Sequence, residues 1–423
     1  MEKYGDAAVY DAVVIGAGPA GMAAAITLKN ENPKANVLLL EKMKEPAKKL
    51  SASGNGRGNL SNLKCEDLES VLKFFSETGI ALRTDDEGRI YPYSEDARAV
   101  TSALAERVTK DGAELRTDTQ VINVEACSED GASFRVFISS KAVSKDGDRK
   151  NGVLRHDISL RTKKVLIASG GKSYGVYGST GDGYKMARCL GHNVIPPVPG
   201  LTAIETEEPL KTLAGIRVKG EVSLFKDGDM IFREKGEIQF REDCISGICV
   251  MNMSSMLPAA AQPGMDNRFE GHVIRINLVP DLSVPALIGF LKENNMAEDH
   301  VKVPATLVKK AIADEIERRA KIAGQGSVLD IANQLRGFTL TPTGRKGWKE
   351  AQVTRGGVAL EEIDMMTMES KLVPGLYFAG EVTDYDGPCG GFNLNNAFLT
   401  GIRAGHAMAE AIVGTDKDML PKK

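Results

Sequence analysis

Apolar positions first gather in a short β-branched run, Val9 to Ile15. It gives way at once to Gly16-Ala17-Gly18-Pro19-Ala20-Gly21 and then to the Ala-, Met-, Ile- and Leu-rich stretch Met22 to Leu28. That order predicts a buried strand, a tight turn and a helix. Asn36 to Leu40 reads as a second buried strand, closed by Glu41. A helix is predicted from Ser94, with acidic residues in its first turn, through Ala97, Val100, Leu104 and Val108 to a stop at Gly112. Strands follow at Ala113–Thr117 and Val121–Glu125, and alternation over Phe134–Ser139 and Leu154–Leu160 predicts a hairpin joined by the charged loop Lys141 to Arg155. Thr162 to Ala168 is a further parallel-type strand, ending in Ser169-Gly170-Gly171. From about Gly200 to Thr341 the pattern changes to short alternating strands, Glu221–Phe225, Met230–Arg233, Glu237–Phe240 and Val273–Leu278, with Asp227-Gly228 as a hairpin turn. Helical spacing returns at Leu307, Ile312, Ile316 and Ala320. Gly375 to Asp384 then repeats strand, glycine and acid before a helical pattern from Asn396 to Ile412.

The first turn carries chemistry. Gly16 permits the sharp turn, Gly18 lets the backbone approach a pyrophosphate at the positive helix end, and Gly21 lets helix and strand pack closely, with Pro19 and Ala20 between them. A lone G-x-G-x-x-G is weak. Here the following strand ends in Glu41, 20 residues after Gly21, suited to a ribose hydroxyl pair and followed by Lys42. An acid at that place favours NAD or FAD over NADP. The loop Lys48 to Asn59, with Lys49, Ser53, Gly54, Gly56 and Arg57, offers N–H donors and positive charge to a second part of an anionic cofactor, and this favours FAD. Ser169, Gly170 and Gly171 let backbone approach again. Gly380 and Glu381 close the later strand, and Gly391, Asn393, Leu394, Asn395 and Ala397 open the last helix, whose N–H groups suit negative charge on a reduced flavin. Val121 completes the expected FAD-binding set.

Composition narrows the classes. The chain of 423 residues has 54 Lys and Arg against 57 Asp and Glu, a net charge of −3, so no global field attracts nucleic acid or anionic lipid. Six scattered cysteines suggest a reducing, cytoplasmic setting, and five histidines with no i,i+3 or i,i+4 pair show no metal motif. Ala12 to Leu28 is uncharged, yet its glycines, proline and acidic flanks fit neither a membrane span nor a signal peptide. Glycine is in excess, and 19 of its 44 occurrences fall in 16–21, 54–58, 170–183 and 375–405, the stretches expected to outline the cofactor.

GAGPAG at 16–21, SGNGRGN at 53–59, Gly170-Gly171-Lys172-Ser173-Tyr174 leading to Gly178–Tyr184, MESKLVPGLYFAGE at 368–381 and GGFNLNNAF at 390–398 together resemble the BaiN-like and aminoacetone-oxidase-like flavoproteins. The resemblance runs from about Val9 to Ile412. It implies an α/β fold: a Rossmann-like FAD-binding domain, interrupted by a β-rich insert with a helical part. The expected bounds are 1–199 and 345–423 for the FAD domain and 200–344 for the insert, with Pro196–Gly200 and Thr341–Gly344 as hinges. It also implies an FAD-dependent oxidoreductase, one branch being similar to reductases of conjugated double bonds in 3-oxo bile acids. The family usually has cysteine where this chain has Gly58 and Thr-His where it has Arg241-Glu242.

The expected activity is reduction of an activated C=C bond, with hydride passing from a transiently bound NAD(P)H through flavin N5 to the substrate. One complete G-x-G-x-x-G leaves no second nucleotide domain for a resident nicotinamide. Tyr174 and Tyr177 are candidate proton donors, or tyrosines packing at the hinge, and Arg57 is a candidate for stabilising an enolate or the flavin anion, or an anchor of its loop. The expected substrate is a small apolar molecule, without nucleic acid or membrane as partner. Oxidation of a small amine and non-catalytic flavin binding are the alternatives. Cys244 and Cys249, at C-x₄-C spacing, read as buried structural thiols, with a redox pair as the alternative.

Overall fold

A computed structural model of the chain describes residues 9–129, 131–140, 158–258, 269–295 and 301–418. The loop Lys141 to Arg155, His156 and His300 lie outside the described residues. The chain forms two compact units, Met1–Val198 with Val353–Lys423, and Pro199–Gln352.

The first unit is built on a seven-stranded sheet. Strand β1 (Tyr10–Ile15) lies between β2 (Val37–Leu40) and the strand Ile158–Ile167, and pairs with both in parallel, Ile15 standing opposite Leu40 and Ile167. Leu376–Phe378 adds in parallel to Ile158–Ile167, and Glu114–Arg116 to β2. The paired centres of these strands are apolar because both faces are covered there, Val13, Val14, Leu38, Leu39, Val165 and Leu166 being fully buried. The described part of the expected run Leu154–Leu160 and the expected run Thr162–Ala168 fall in one strand, Ile158–Ile167. Its first half pairs antiparallel with Ala132–Ser140 and its second half parallel with Leu376–Phe378. Helix α1 (Pro19–Glu31) follows the glycine turn. The helix expected from Ser94 begins at Ala97 instead, because Asp96 accepts from the N–H of Arg98 as its cap while Glu95 takes a left-handed φ of 50°.

The last helix, Phe392–Asp418, begins four residues before the expected Asn396. It runs beside α1 so closely that a Cβ on Gly401 would stand 2.2 Å from the Ala20 carbonyl oxygen, and one on Gly405 2.6 Å from that of Ala24. The equal offset of the two contacts makes the helices parallel. Both N-termini therefore face the carboxyl edge of the parallel strands. At 1.5 Å per residue the last helix reaches about 12 Å beyond the start of α1.

The second unit has its own seven-stranded sheet, antiparallel in its described pairs, with the helices Val284–Glu293, Lys310–Ala323 and Val328–Arg336 closing a separate core around Val222, Leu224, Phe240, Ile276 and Phe338. Met230–Arg233 and Glu237–Phe240 are parts of one strand, Asp229–Phe240. The expected hinge Thr341–Gly344 is instead strand: Pro342–Arg345 pairs with Ile204–Thr206, so the unit continues to Gln352.

Candidate flavin site

Three glycines of the first turn hold three different positions. Gly16 has φ 102°, and a Cβ there would meet the Ala168 carbonyl oxygen at 2.6 Å; on Gly21 it would meet the Gly16 oxygen at 1.9 Å. Gly18 faces open space, with nothing within 4 Å of such an atom. As N-cap, Gly18 supplies no side-chain acceptor, so the first N–H groups of α1 are left to a ligand. The turn thus has the cradle, the opening and the donors a pyrophosphate needs.

Glu41 supports the turn from the end of β2. Its carboxylate accepts the N–H of Ala17 at 3.0 Å and that of Met43 at 2.8 Å, and its remaining lone pairs suit ribose hydroxyls. Burial pushes its pKa up from the ordinary glutamate range, against the two backbone hydrogen bonds. Thr119 donates its N–H to the Glu41 carbonyl, which sets Val121, buried, two residues along the adjoining strand. Lys42 is held by Thr180 and by Asp182 at 2.7 Å.

A second cluster joins segments far apart in sequence. Lys49, in α2 (Lys48–Ser51), donates to Ser173 Oγ at 2.7 Å and to Glu381 Oε2 at 2.7 Å. Ser173 Oγ donates to Glu381 Oε1 at 3.0 Å, and the N–H of Thr354 reaches the same oxygen at 2.8 Å. Thr354 Oγ1 in turn accepts the N–H groups of Lys172 and Ser173. Gly171 fits only without a side chain, since a Cβ would lie 2.4 Å from Thr354 Oγ1. Tyr184 donates to the Glu381 carbonyl at 3.3 Å, and its burial together with the Glu381 charge raises its phenol far above the ordinary range.

The third cluster fixes the start of the last helix. A Cβ on Gly391 would stand 2.2 Å from the Ser61 carbonyl oxygen, and the Asn59 amide bridges Ser61 O and the Gly391 N–H. Ser61 Oγ donates to Asn395 Oδ1 at 2.7 Å, and Asn393 exchanges two hydrogen bonds with Gly387. The Asn393 and Asn395 side chains therefore brace this loop; the Asn395 N–H closes the first helical turn on the Gly391 carbonyl, which leaves the backbone N–H groups of Asn393 and Leu394 at the positive helix end. Gly380, at φ 75°, sits between Ala20 and Ala397, and its N–H goes to Thr400 Oγ1. Ser53 Oγ and Ser169 Oγ are buried without hydrogen-bond partners among the described residues, as hydroxyls reserved for a ligand would be. On these observations the residues fit FAD: the α1 turn and Glu41 suit its pyrophosphate and ribose, and the N-terminus of the last helix suits further negative charge.

The candidate catalytic residues are placed less simply. Arg57 is exposed, stacks 5.0 Å over the Tyr91 ring and returns its Nε toward the Gly54 carbonyl at 3.5 Å, so it anchors its own loop. Tyr174 and Tyr177 pair at 5.8 Å between ring centres. Gly178, next to Tyr177, packs on Met43 and Lys42, which brings this loop beside the residues that follow Glu41. Sequence reading missed Ser173 and Thr354 as structural partners of the site; the Gly170–Tyr174 stretch of the resemblance covers Ser173, and no motif covers Thr354. Cys244 and Cys249 are buried free thiols, pushed up by burial to about 11 and about 12, and Cys249 donates to the Glu237 carbonyl. Arg241 is ion-paired with Glu350.

No helix among the described residues is long and apolar enough to cross a membrane. The chain is 28% identical to the 3-dehydro-bile acid delta(4,6)-reductase of Clostridium scindens, over 94% of this chain and 98% of that protein. It is also 28% identical to the ribosomal RNA dihydrouridine synthase of Escherichia coli, over 92% and 95%. Among solved structures it resembles the 3-ketosteroid-delta4-(5alpha)-dehydrogenase of Rhodococcus jostii RHA1, 14% identical over 96% of this chain and 98% of that one at a TM-score of 0.50. An FAD binding domain model matches residues 11–90. The HI0933-like protein Rossmann domain model matches residues 63–407, and the chain belongs to this family of FAD-dependent oxidoreductases.

Proposed function

We propose that the protein reduces a C=C bond conjugated to a carbonyl, using electrons from NADH or NADPH. The observation that carries this reading is a shared chemistry: two relatives of equal identity are named for saturating a delta(4,6) steroid system and for forming dihydrouridine, and both reactions remove a ring double bond next to a carbonyl. FAD, when bound, supplies two-electron hydride exchange. The chain's part is to hold the nucleotide on the α1 turn and Glu41, to brace the last helix through Asn59 and Ser61, and to offer that helix's N–H groups to negative charge.

A small apolar enone is the favoured substrate. Residues 199–352 hold 20 Lys and Arg against 21 Asp and Glu, so the insert has no excess charge for a phosphate backbone. A uridine in RNA is the second reading, favoured by the dihydrouridine synthase relatives. Anaerobic mixing with NADH or NADPH should bleach the flavin, and a 3-oxo-Δ4 steroid or a uridine-bearing RNA should then restore its colour. Reduction by aminoacetone alone, with peroxide on re-aeration, would instead establish an amine oxidase. Failure of both nicotinamides to reduce the flavin would exclude them as its donors.

A further inference from the structure

We propose that Lys49 is the cation that meets the flavin from its side of the cleft, and that Glu381 is a positioning residue acting through it. An ammonium has three N–H donors, and Ser173 Oγ and Glu381 Oε2 account for two. Glu381 is the more fully committed group. Its carboxylate, with about four acceptor sites, receives Lys49, the Ser173 hydroxyl and the Thr354 N–H. A Cβ on Gly171 would lie 2.9 Å from Glu381 Cδ, so backbone closes over the acid. The lysine side chain is 28% exposed and the glutamate side chain 20%.

Three of the glycine-bearing segments that fit FAD meet at this ammonium: α2 with the loop after it, the loop after Gly170-Gly171 through Ser173, and the loop after Gly380 through Glu381. A cation fixed in a partly desolvated cleft stabilises a negatively charged reduced ring more than the neutral oxidised one. The inference rests on FAD binding and not on the reductase reading, and its readout uses no substrate, so the two can fail separately.

The test uses the FAD-loaded full chain, with the flavin reduction potential measured against a reference dye and FAD affinity measured alongside. Lys49→Gln should weaken the reduced cofactor about tenfold more than the oxidised one, a fall of about 30 mV for a two-electron couple, and Lys49→Arg should restore the potential. Glu381→Gln should shift it less in the same direction, and the double variant no further than Lys49→Gln alone. An unchanged potential in Lys49→Gln, with only FAD affinity lost, would overturn the proposal by making the lysine a phosphate contact or a strut. Additive shifts would overturn it by making Glu381 a direct contact. If Lys49→Gln does not load FAD, Ser173→Ala, which removes one tether, should lower the potential partway; no change there would equally overturn it.

Discussion

The two glycine-rich stretches near the N-terminus look alike in sequence and are held for different reasons. In Gly16–Gly21 the main constraint is space: Gly16, which also has a positive φ, and Gly21 lie against backbone oxygens and Gly18 leaves a gap. In Gly54–Gly58 the constraint is handedness. Gly54, Asn55, Gly56 and Gly58 all have positive φ, between 56° and 85°, while a Cβ on Gly56 would meet nothing within 4 Å. Asn55 shows that a side chain is tolerated in that conformation. Similar glycine runs thus encode a contact surface in one place and a backbone path in the other.

Gly21→Ala puts a methyl 1.9 Å from the Gly16 oxygen and should be the most damaging change, costing more than about 4 kcal/mol or abolishing FAD loading; thermal unfolding and flavin content check it. Glu41→Gln comes next. The wild-type acid has a raised pKa, so it contributes stability at low pH that is lost as pH rises through its folded pKa. FAD affinity should run the other way, falling as pH falls through that same pKa, because the ribose needs the ionised acceptor. The variant should bind FAD roughly tenfold more weakly, for one lost charge-assisted hydrogen bond, and show neither pH dependence in this range by titration calorimetry. Gly58→Cys, which restores the residue usual in the resembled family, meets φ 76° and Ala97 Cβ at 3.2 Å, and should cost about 1–3 kcal/mol by denaturant titration. Gly56→Asn should cost less than about 1 kcal/mol. If Gly56→Asn proved as harmful as Gly21→Ala, the contrast between the two stretches would be broken.

How much was legible follows the same division. The first βαβ unit could be read from Val9 to Glu41 because a buried parallel strand, a turn glycine and an acid at fixed spacing are local signals. The strand Ile158–Ile167 could not be read as one element, since its halves answer to different partners and its polar positions, Arg161 to Lys164, break the apolar run. The turn at Thr341–Gly344 resembles a hinge locally and becomes strand only by pairing across more than a hundred residues. The Lys49, Ser173, Thr354 and Glu381 cluster was half visible for the same reason: no spacing rule links positions that meet only when the sheet closes.

The reaction proposed for this FAD protein is saturation of a double bond conjugated to a carbonyl. Its most direct test is to photoreduce the purified enzyme without any nicotinamide, mix it anaerobically with a 3-oxo-Δ4 steroid or a uridine-bearing RNA, and follow flavin absorbance and product mass together. One of these acceptors should reoxidise the flavin and leave a product heavier by two hydrogens. A flavin that stays reduced with both, yet is reoxidised by oxygen with formation of peroxide, would contradict it.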